Sequence, residues 1–495
     1  MELDKNTKNE LIKIFKNNDF IKVELEITRL LKNMPNNVFL WKLLGMSFVN
    51  LKKNENAISA YKKVIQLSPN DAEANNNYGY ILWVQGHDRE AEHFFKKAIK
   101  LKKNYSQAIN NLLDLYKKEN NFEKAEELLK SANLDNKNSI KLQLDLGLIL
   151  KKLGKFDKAV QVYKNAININ PNFPELYNNL ANLQRLIGNL NDAERNYQFA
   201  IKLNPNFSEA YNNLGNIKSI NGKFTEAIFN HKQSIKLNPK LLKSYINLGK
   251  IYIRMKNYKE AKLTYLNALK IDENCLEAQH MINVLNGNDK VKISKKYVQN
   301  LFDNYAYTFD HSLTYDLNYK VPILFKKIIL DNSSNLNIGK VLDLGCGTGL
   351  IGEQIKNYCE YIEGVDISNL MLKKAEQKKI YNKLVHEDII NYLENKPLNY
   401  DYFIFGDVLI YFRDLDDIFK LIKNRNNSNG KILFTTEHST GKHRQLGMSG
   451  RFSHSKKYIE SLTKKFGYTS LYYKKEIIRK ENLKNVYGGI YLLKF

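Results

Sequence analysis

The sequence predicts two folds in tandem: an all-α superhelix of paired helices over residues 1–288, then a doubly wound α/β domain with a seven-stranded, mostly parallel sheet over residues 289–495. Three observations predict them. A self-similar pattern recurs every 34 residues through the first part of the chain. An apolar run, Val341, Leu342 and Leu344, leads into glycines at alternate positions, Gly345, Gly347 and Gly349. Beyond it, short apolar runs ending in acids alternate with helical segments, as parallel strands with crossover helices do.

The repeat is fixed by a register of seven positions: Trp41, Asn75, Ile109, Gln143, Tyr177, Tyr211 and Tyr245. Four residues on comes Gly45, Gly79, Gly147, Gly215 or Gly249, with Leu113 and Ala181 as substitutes. Sixteen on comes Ala57, Ala91, Ala125, Ala159, Ala193, Ala227 or Ala261, and twenty on a large side chain such as Tyr61, Phe95 or Tyr163. Pro69, Pro171, Pro205 and Pro239 close four units. Small residues where paired helices touch, with large ones beside them, resemble the tetratricopeptide repeat. Val23, Ile27 and Pro35 fit the second half of an earlier unit, and Cys275–Gly287 a closing helix, so about eight hairpins are expected.

A second column, Asn77, Asn111, Asp145, Asn179, Asn213 and Asn247, sits two residues past the register. It resembles the asparagine ladder of the O-GlcNAc transferase repeat domain. That resemblance implies a groove in which Asn77, Asn111, Asn179, Asn213 and Asn247 grip the backbone of an extended peptide, since an amide both donates and accepts. A protein or peptide partner is therefore expected.

Composition narrows the classes. Lys and Arg number 77 against 52 Asp and Glu, for a net charge of +25. Lys, Asn and Ile are abundant throughout, which fits a coding bias and discounts the charge as a sign of nucleic-acid binding. No apolar run is long enough for a membrane span, and Met1-Glu2-Leu3-Asp4-Lys5 does not open a signal peptide, so a cytoplasmic protein is expected. Cys275, Cys346 and Cys359 are scattered, and the nine histidines do not cluster, so no metal site is expected.

The sheet domain follows a polar turn at 286–290. Residues 297–317 are rich in aromatics, including Tyr297, Phe302, Tyr305, Tyr307, Phe309 and Tyr315. After the glycine turn, Tyr361–Asp366 reads as a second strand whose closing carboxylate, Asp366, lies 21 residues beyond Gly345. A carboxylate there can accept hydrogen bonds from both ribose hydroxyls of a nucleoside cofactor. Strands are expected at Lys383–His386, Tyr402–Phe405 and Lys431–Thr436, with the last two at 466–468 and 488–493. The dinucleotide fingerprint would need a third glycine at Leu350.

Asp-x-Gly-x-Gly-x-Gly instead resembles motif I of class I methyltransferases that use S-adenosylmethionine (SAM). The whole chain resembles bacterial proteins in which tetratricopeptide repeats precede such a domain. The resemblance implies a Rossmann-like fold, with Asp343, Gly345, Cys346, Gly347, Gly349, Asp366, Ile367, Met371, Asp388 and Asp407 around the cofactor. Asp343 would lie near the methionine amino group, Met371 against adenine and Asp388 near its amino group. Helices before motif I would lid the pocket, making Tyr305, Phe309 and Asp310 lid or substrate candidates. The segment after Phe405 has neither an Asn-Pro-Pro tetrad nor a Pro-Cys pair, which argues against adenine or glutamine amino-methylation and cytosine C5 chemistry.

Residues 291–437 are close to balanced in charge, whereas 438–495 carry nearly all of the domain's basic excess. A glycine-containing loop is expected there, with Lys442, His443, Arg444, Arg451 and His454 on the substrate side. Arg451 and His454 would meet an anionic acceptor group, and Tyr411, His438, His443 or His454 would serve as a base where one is needed. Three functions follow: a methyltransferase whose array recruits a protein substrate, a small-molecule methyltransferase with repeats for assembly, and a scaffold that only retains the fold.

Overall fold

The structure, a computed structural model, describes residues 3–495 other than 136–138, 289, 291, 307–308, 334, 428, 440, 442 and 482–483. Tyr307, Lys442 and the side chain of Tyr315 thus lie outside the described residues. The chain divides into two compact units, Met1–Pro171 and Asn172–Phe495.

The first unit is five helical hairpins, beginning with Lys5–Lys16 and Phe20–Asn33 and ending with Ile140–Lys152 and Phe156–Ile169. The first hairpin is whole: Asp4 caps its opening helix by accepting the Asn6 and Thr7 N–H groups. Packing explains the columns of the repeat. All seven alanines of the sixteen-residue column are fully buried. A Cβ at Gly147 would stand 2.3 Å from the Tyr163 ring, and one at Gly45 3.0 Å from Tyr61. Glycine is there because the neighbouring helix puts an aromatic ring in that space.

Each hairpin also turns through one left-handed residue. These are Asn18, Lys52, Gly86, Asn120 and Gly154 in the first unit, and Gly188, Gly222 and Lys256 in the second, with φ between 55° and 84°. The positions keep the 34-residue period, but glycine fills only half of them. Lysine and asparagine hide the column from a sequence search.

The second unit opens with three hairpins, Pro174–Leu186 with Leu190–Leu203, Ser208–Ile220 with Phe224–Leu237, and Leu242–Arg254 with Tyr258–Ile271. The helix Leu276–Leu285 closes them. The sheet domain follows with nine strands rather than the expected seven: β1 Lys340–Leu344, β2 Tyr361–Asp366, β3 Lys383–His386, β4 Tyr402–Phe405, β5 Lys431–Ser439, β6 Arg444–Leu446, β7 Phe452–Ser455, β8 Thr469–Glu481 and β9 Lys484–Lys494. β3, β2, β1, β4 and β5 pair in that order, all parallel. β9 adds antiparallel to β5, and β8 to β9. The two extra strands are β6 and β7, a hairpin where a loop was expected, with β7 parallel to the last three residues of β5. Phe466-Gly467-Tyr468, expected within a strand, instead ends the helix Lys456–Phe466, with Gly467 as its left-handed cap (φ 66°).

Alternation along the strands builds two cores. Leu342, Leu344, Phe403, Phe405, Ile432 and Phe434 face helices Ile389–Asn395, Asp416–Arg425 and Lys456–Phe466. Val341, Ile362, Ile404, Leu433 and Leu492 face helices Val321–Asp331 and Leu350–Ile355. This three-layer arrangement brings the carboxyl ends of the parallel strands, and the loops beyond them, to one edge.

The last repeat is joined to that edge. The buried His280 ring nitrogen Nε2 lies 2.8 Å from the Gly450 carbonyl oxygen in the β6–β7 turn, and Tyr297 stacks on the imidazole. Gly450 has φ 80°, and a Cβ on it would stand 2.8 Å from His280 Nε2. Leu446 of β6 packs with the apolar side chains of the last repeats. Among the described residues no helix is long and apolar enough to cross a membrane.

Candidate active site

β1 ends in a turn that only glycine makes easily. Gly345, Gly347 and Gly349 have φ of 76°, 55° and 88°. The Gly345 and Cys346 N–H groups donate to the Val365 carbonyl, which folds the turn back over β2. A Cβ on Gly345 would stand 2.4 Å from Val408, whereas Gly347 faces Phe309 across the cavity.

That cavity, about 720 Å³, is lined by Gly345, Cys346, Gly347, Asp366, Ile367 and Asp388 and also by Asp407, Tyr411, Arg451 and Arg479. Asp366 takes the Gly347 N–H on Oδ2 and the Ser368 N–H on Oδ1, both at 2.8 Å. Burial raises its carboxyl to about pKa 6 against the pull of those two amides. Each oxygen keeps a lone pair for a further donor. Asp388 caps the helix Ile389–Asn395 and holds Lys295 at 2.7 Å.

Three expected cofactor residues stand elsewhere. Asp343 is buried behind the wall, where its Oδ2 accepts the Tyr381 hydroxyl at 2.7 Å. Its Oδ1 has no hydrogen-bond partner among the described residues, and burial raises its carboxyl to about pKa 7. Met371 is fully buried in the core, and Gly349 begins the helix Leu350–Ile355. None of the three lines the cavity.

A lid covers the cavity from the segment before β1. It comprises the helix Lys295–Tyr305, the short helix Phe309–His311 and a π-helical turn at Ser312–Asp316. Phe302, Tyr305 and Phe309 line the cavity from above. Carboxylates latch the lid down: Asp303 accepts the Ser368 hydroxyl at 2.5 Å, and Asp310 accepts the Thr348 hydroxyl and pairs with Lys378 at 2.8 Å. Of the expected lid or substrate candidates, Tyr305 and Phe309 line the cavity, whereas Asp310 does not and instead reaches Thr348 and Lys378. Lys295 and Asp303 had no sequence signal beyond lying about two turns apart on one helix.

The cavity lining also includes members of an ion-pair cluster. Asp407 sits in a left-handed conformation (φ 55°) after β4, and its Oδ1 accepts the Thr435 hydroxyl at 2.8 Å. Arg479, 4 % exposed, donates to Asp407, Glu437 and Glu481. Arg451 donates to Glu437 at 2.8 Å and to Glu481 at 2.7 Å. Arg479 and Glu481 were not anticipated. The available signal was an opposite-charge pair two residues apart in a strand, hence on one face, in a stretch otherwise read only as a basic surface.

The expected bases are corrected by placement. His454 is fully buried, stacks on Tyr458 and points Nε2 at the Arg413 carbonyl; burial lowers it to about pKa 4. It is a packed, neutral core side chain. His438 is half-buried and His443 exposed, and neither lines the cavity. Tyr411 does line it, edge-on to Phe302, and burial pushes its phenol up to about 12. Arg451 reaches the cavity as expected, but its guanidinium is already held by carboxylates.

The asparagine column also has internal partners. Asn111 donates to Asn76 in the first unit; Asn213 donates to Asn178 and Asn247 to Asn212 in the second, at 2.9–3.1 Å. Asn77 accepts from Asn76 at 3.2 Å, and Asn179 is half-buried beside Asn178. These amides brace neighbouring first helices, and each retains capacity for another bond.

Family models match both parts of the chain. A family model described as a methyltransferase domain matches residues 337–486. Tetratricopeptide models match within 45–105, 147–229 and 242–275. Ribosomal RNA small subunit methyltransferase C of Haemophilus influenzae strain PittGG is 33% identical over 108 residues, 19% of this chain and 33% of the relative. The protein from strain PittEE is 32% identical over the same length. The chain thus spans about a third of the length of the curated relatives it matches. A tetratricopeptide protein from Parabacteroides merdae aligns over 53% of this chain and 99% of its own, at 18% identity and TM-score 0.41. YrrB, a tetratricopeptide protein with an unusual peptide-binding site, aligns over 45% and 98%, at 20% identity and TM-score 0.28. The chain carries tetratricopeptide repeats and a methyltransferase domain.

Proposed function

We propose that this chain, repeats to about residue 288 and a methyltransferase domain from 289, transfers a methyl group from SAM to an acceptor that the repeats help to recruit, a protein or a protein-carried group. The observation that carries the reading is the cavity itself. A glycine turn without Cβ atoms, a buried carboxylate with spare lone pairs and a polar cluster line one space.

The residues present fit the cofactor. Asp366 would accept from ribose hydroxyls, Gly345 and Gly347 would admit the ligand against the backbone, and Ile367 and Asp388 would border the base. About 720 Å³ lies within the roughly 300–1,000 Å³ typical of small-molecule sites. When bound, SAM supplies a methyl carbon already activated by its sulfonium. The chain's own contribution is then proximity and alignment: the lid aromatics exclude water, while Asp407 and Tyr411 border the acceptor.

Calorimetric titration of SAM into the full chain tests the first half of this reading. Binding by the wild type and its loss in Asp366→Ala support it; no binding by the wild type sinks it. Labelled SAM supplied with lysate tests the second half. Label in protein supports recruitment, and label confined to RNA or to small molecules counts against it.

A further inference from the structure

Three carboxylates, Asp407, Glu437 and Glu481, share two guanidiniums, Arg451 and Arg479, in a cluster that begins beyond β4, the strand paired with β1. The cluster therefore carries one negative charge in excess, inside a chain whose net charge is +25. Every nitrogen of the Arg479 guanidinium donates to a carboxylate, and Arg451 is held by two. An anionic acceptor would find both cations committed and a surplus negative charge facing it. An uncompensated charge in low dielectric is costly, and a cation placed beside it relieves that cost.

Aromatic side chains stand beside the cluster. Tyr319, Tyr411 and Phe302 line the cavity beside the cluster, and aromatic faces attract ammonium groups. Asp407 is fixed there by more than its ion pair: both its N–H and its carboxylate engage the Thr435 hydroxyl. It holds a left-handed backbone that a non-glycine residue adopts at a cost. Strain kept at a cavity wall is where function is expected to be paying for it.

We propose that the acceptor is an amine, held as a cation between the cavity-lining carboxylates of Asp407 and Glu481 and the aromatic side chains beside them. This rests on the methyltransferase reading above. The bound ammonium first gives one proton to solvent; the nitrogen lone pair so freed forms the N–C bond as the S–C bond of the donor breaks, its electron pair staying on sulfur, which leaves a thioether and a methylammonium. The nitrogen is a cation before and after, so the same surplus charge matches substrate and product.

The test uses three probes on one frame, phenethylamine, 2-phenylethanol and phenylacetate, titrated into the full chain at neutral pH by ligand-observed NMR. The amine is expected to bind at least tenfold tighter than the carboxylate. Asp407→Asn or Glu481→Gln is expected to reduce that preference at least tenfold. Equal affinities, tighter binding of the carboxylate, or no binding by any probe overturns the proposal, and the wild-type ranking decides it even if a variant fails to fold. SAM titrated into the same samples separates the two failures. SAM binding without amine preference removes only this inference, whereas absent SAM binding removes the reading beneath it.

Discussion

The repeat array and the sheet domain use the same residue for opposite ends. In the array, Gly147 and its counterparts are ordinary helical residues, chosen because an aromatic ring from the paired helix fills the space of a Cβ. In the sheet domain, Gly345 and Gly347 are chosen for a left-handed backbone in a turn that lines the cavity. The first kind recurs every 34 residues and its loss is a packing defect in one repeat. The second occurs once, and no neighbour can stand in for it.

The sharpest way to break that comparison is to add one methyl group to each kind. Gly345→Ala, strained in backbone and meeting Val408, is expected to weaken SAM binding by at least 100-fold with the fold retained, as calorimetry beside circular dichroism would show. Retained binding would mean that the turn tolerates a side chain and is not a cofactor cradle.

The second effect concerns buried acids, which the sheet domain has beside its cavity. Asp343 and Asp366 have carboxyls raised by burial, to about 7 and about 6. A carboxyl raised on folding binds its proton more tightly when folded. Its stabilisation is thus complete below the unfolded value near 4, and is lost as pH rises through the folded one. The ligand-free protein should lose stability between pH 4 and pH 7, on the order of 2–4 kcal/mol. Asp343→Asn, whose amide oxygen still accepts from Tyr381, should flatten the slope in denaturant titrations across that range. An unchanged slope would show that Asp343 stays ionised.

Smaller effects belong to the array. Gly147→Ala should destabilise by about 1–2 kcal/mol, overpacking against Tyr163 outweighing the better helix propensity of alanine. It should leave SAM affinity unchanged, and a change in that affinity would contradict the separation drawn here. The smallest effect has the opposite sign. Lys256→Gly should stabilise by about 1 kcal/mol by relieving a left-handed lysine, read as a shift in urea midpoint.

Those four residues also mark how much was legible. The 34-residue columns, the glycine turn and Asp366 could be read because each obeys a local rule of period or spacing. The eighth hairpin's turn at Lys256 obeyed the period and was missed, because its residue type conceals the φ it adopts. Arg479 and Glu481 were missed for a different reason. They join Asp407 and Glu437 only through the antiparallel addition of β9 to β5 and of β8 to β9, a distance of 72 residues from Asp407 to Arg479 that no local pattern spans. The histidines failed conversely: proximity in sequence to the substrate edge did not reveal that β7 turns His454 into the core.

The clasp between His280 and Gly450 bears on where this chain can be recombined. A crossover at the end of the repeats, near residue 288, would look natural in an alignment. It would strip Gly450, one residue from the cavity-lining Arg451, of its imidazole partner and leave Leu446 bare. A crossover at Pro171, between the two compact units, would leave that clasp whole. Repeats could accordingly be gained, lost or exchanged upstream of Asn172 while the last three hairpins travel with the catalytic domain as one heritable block.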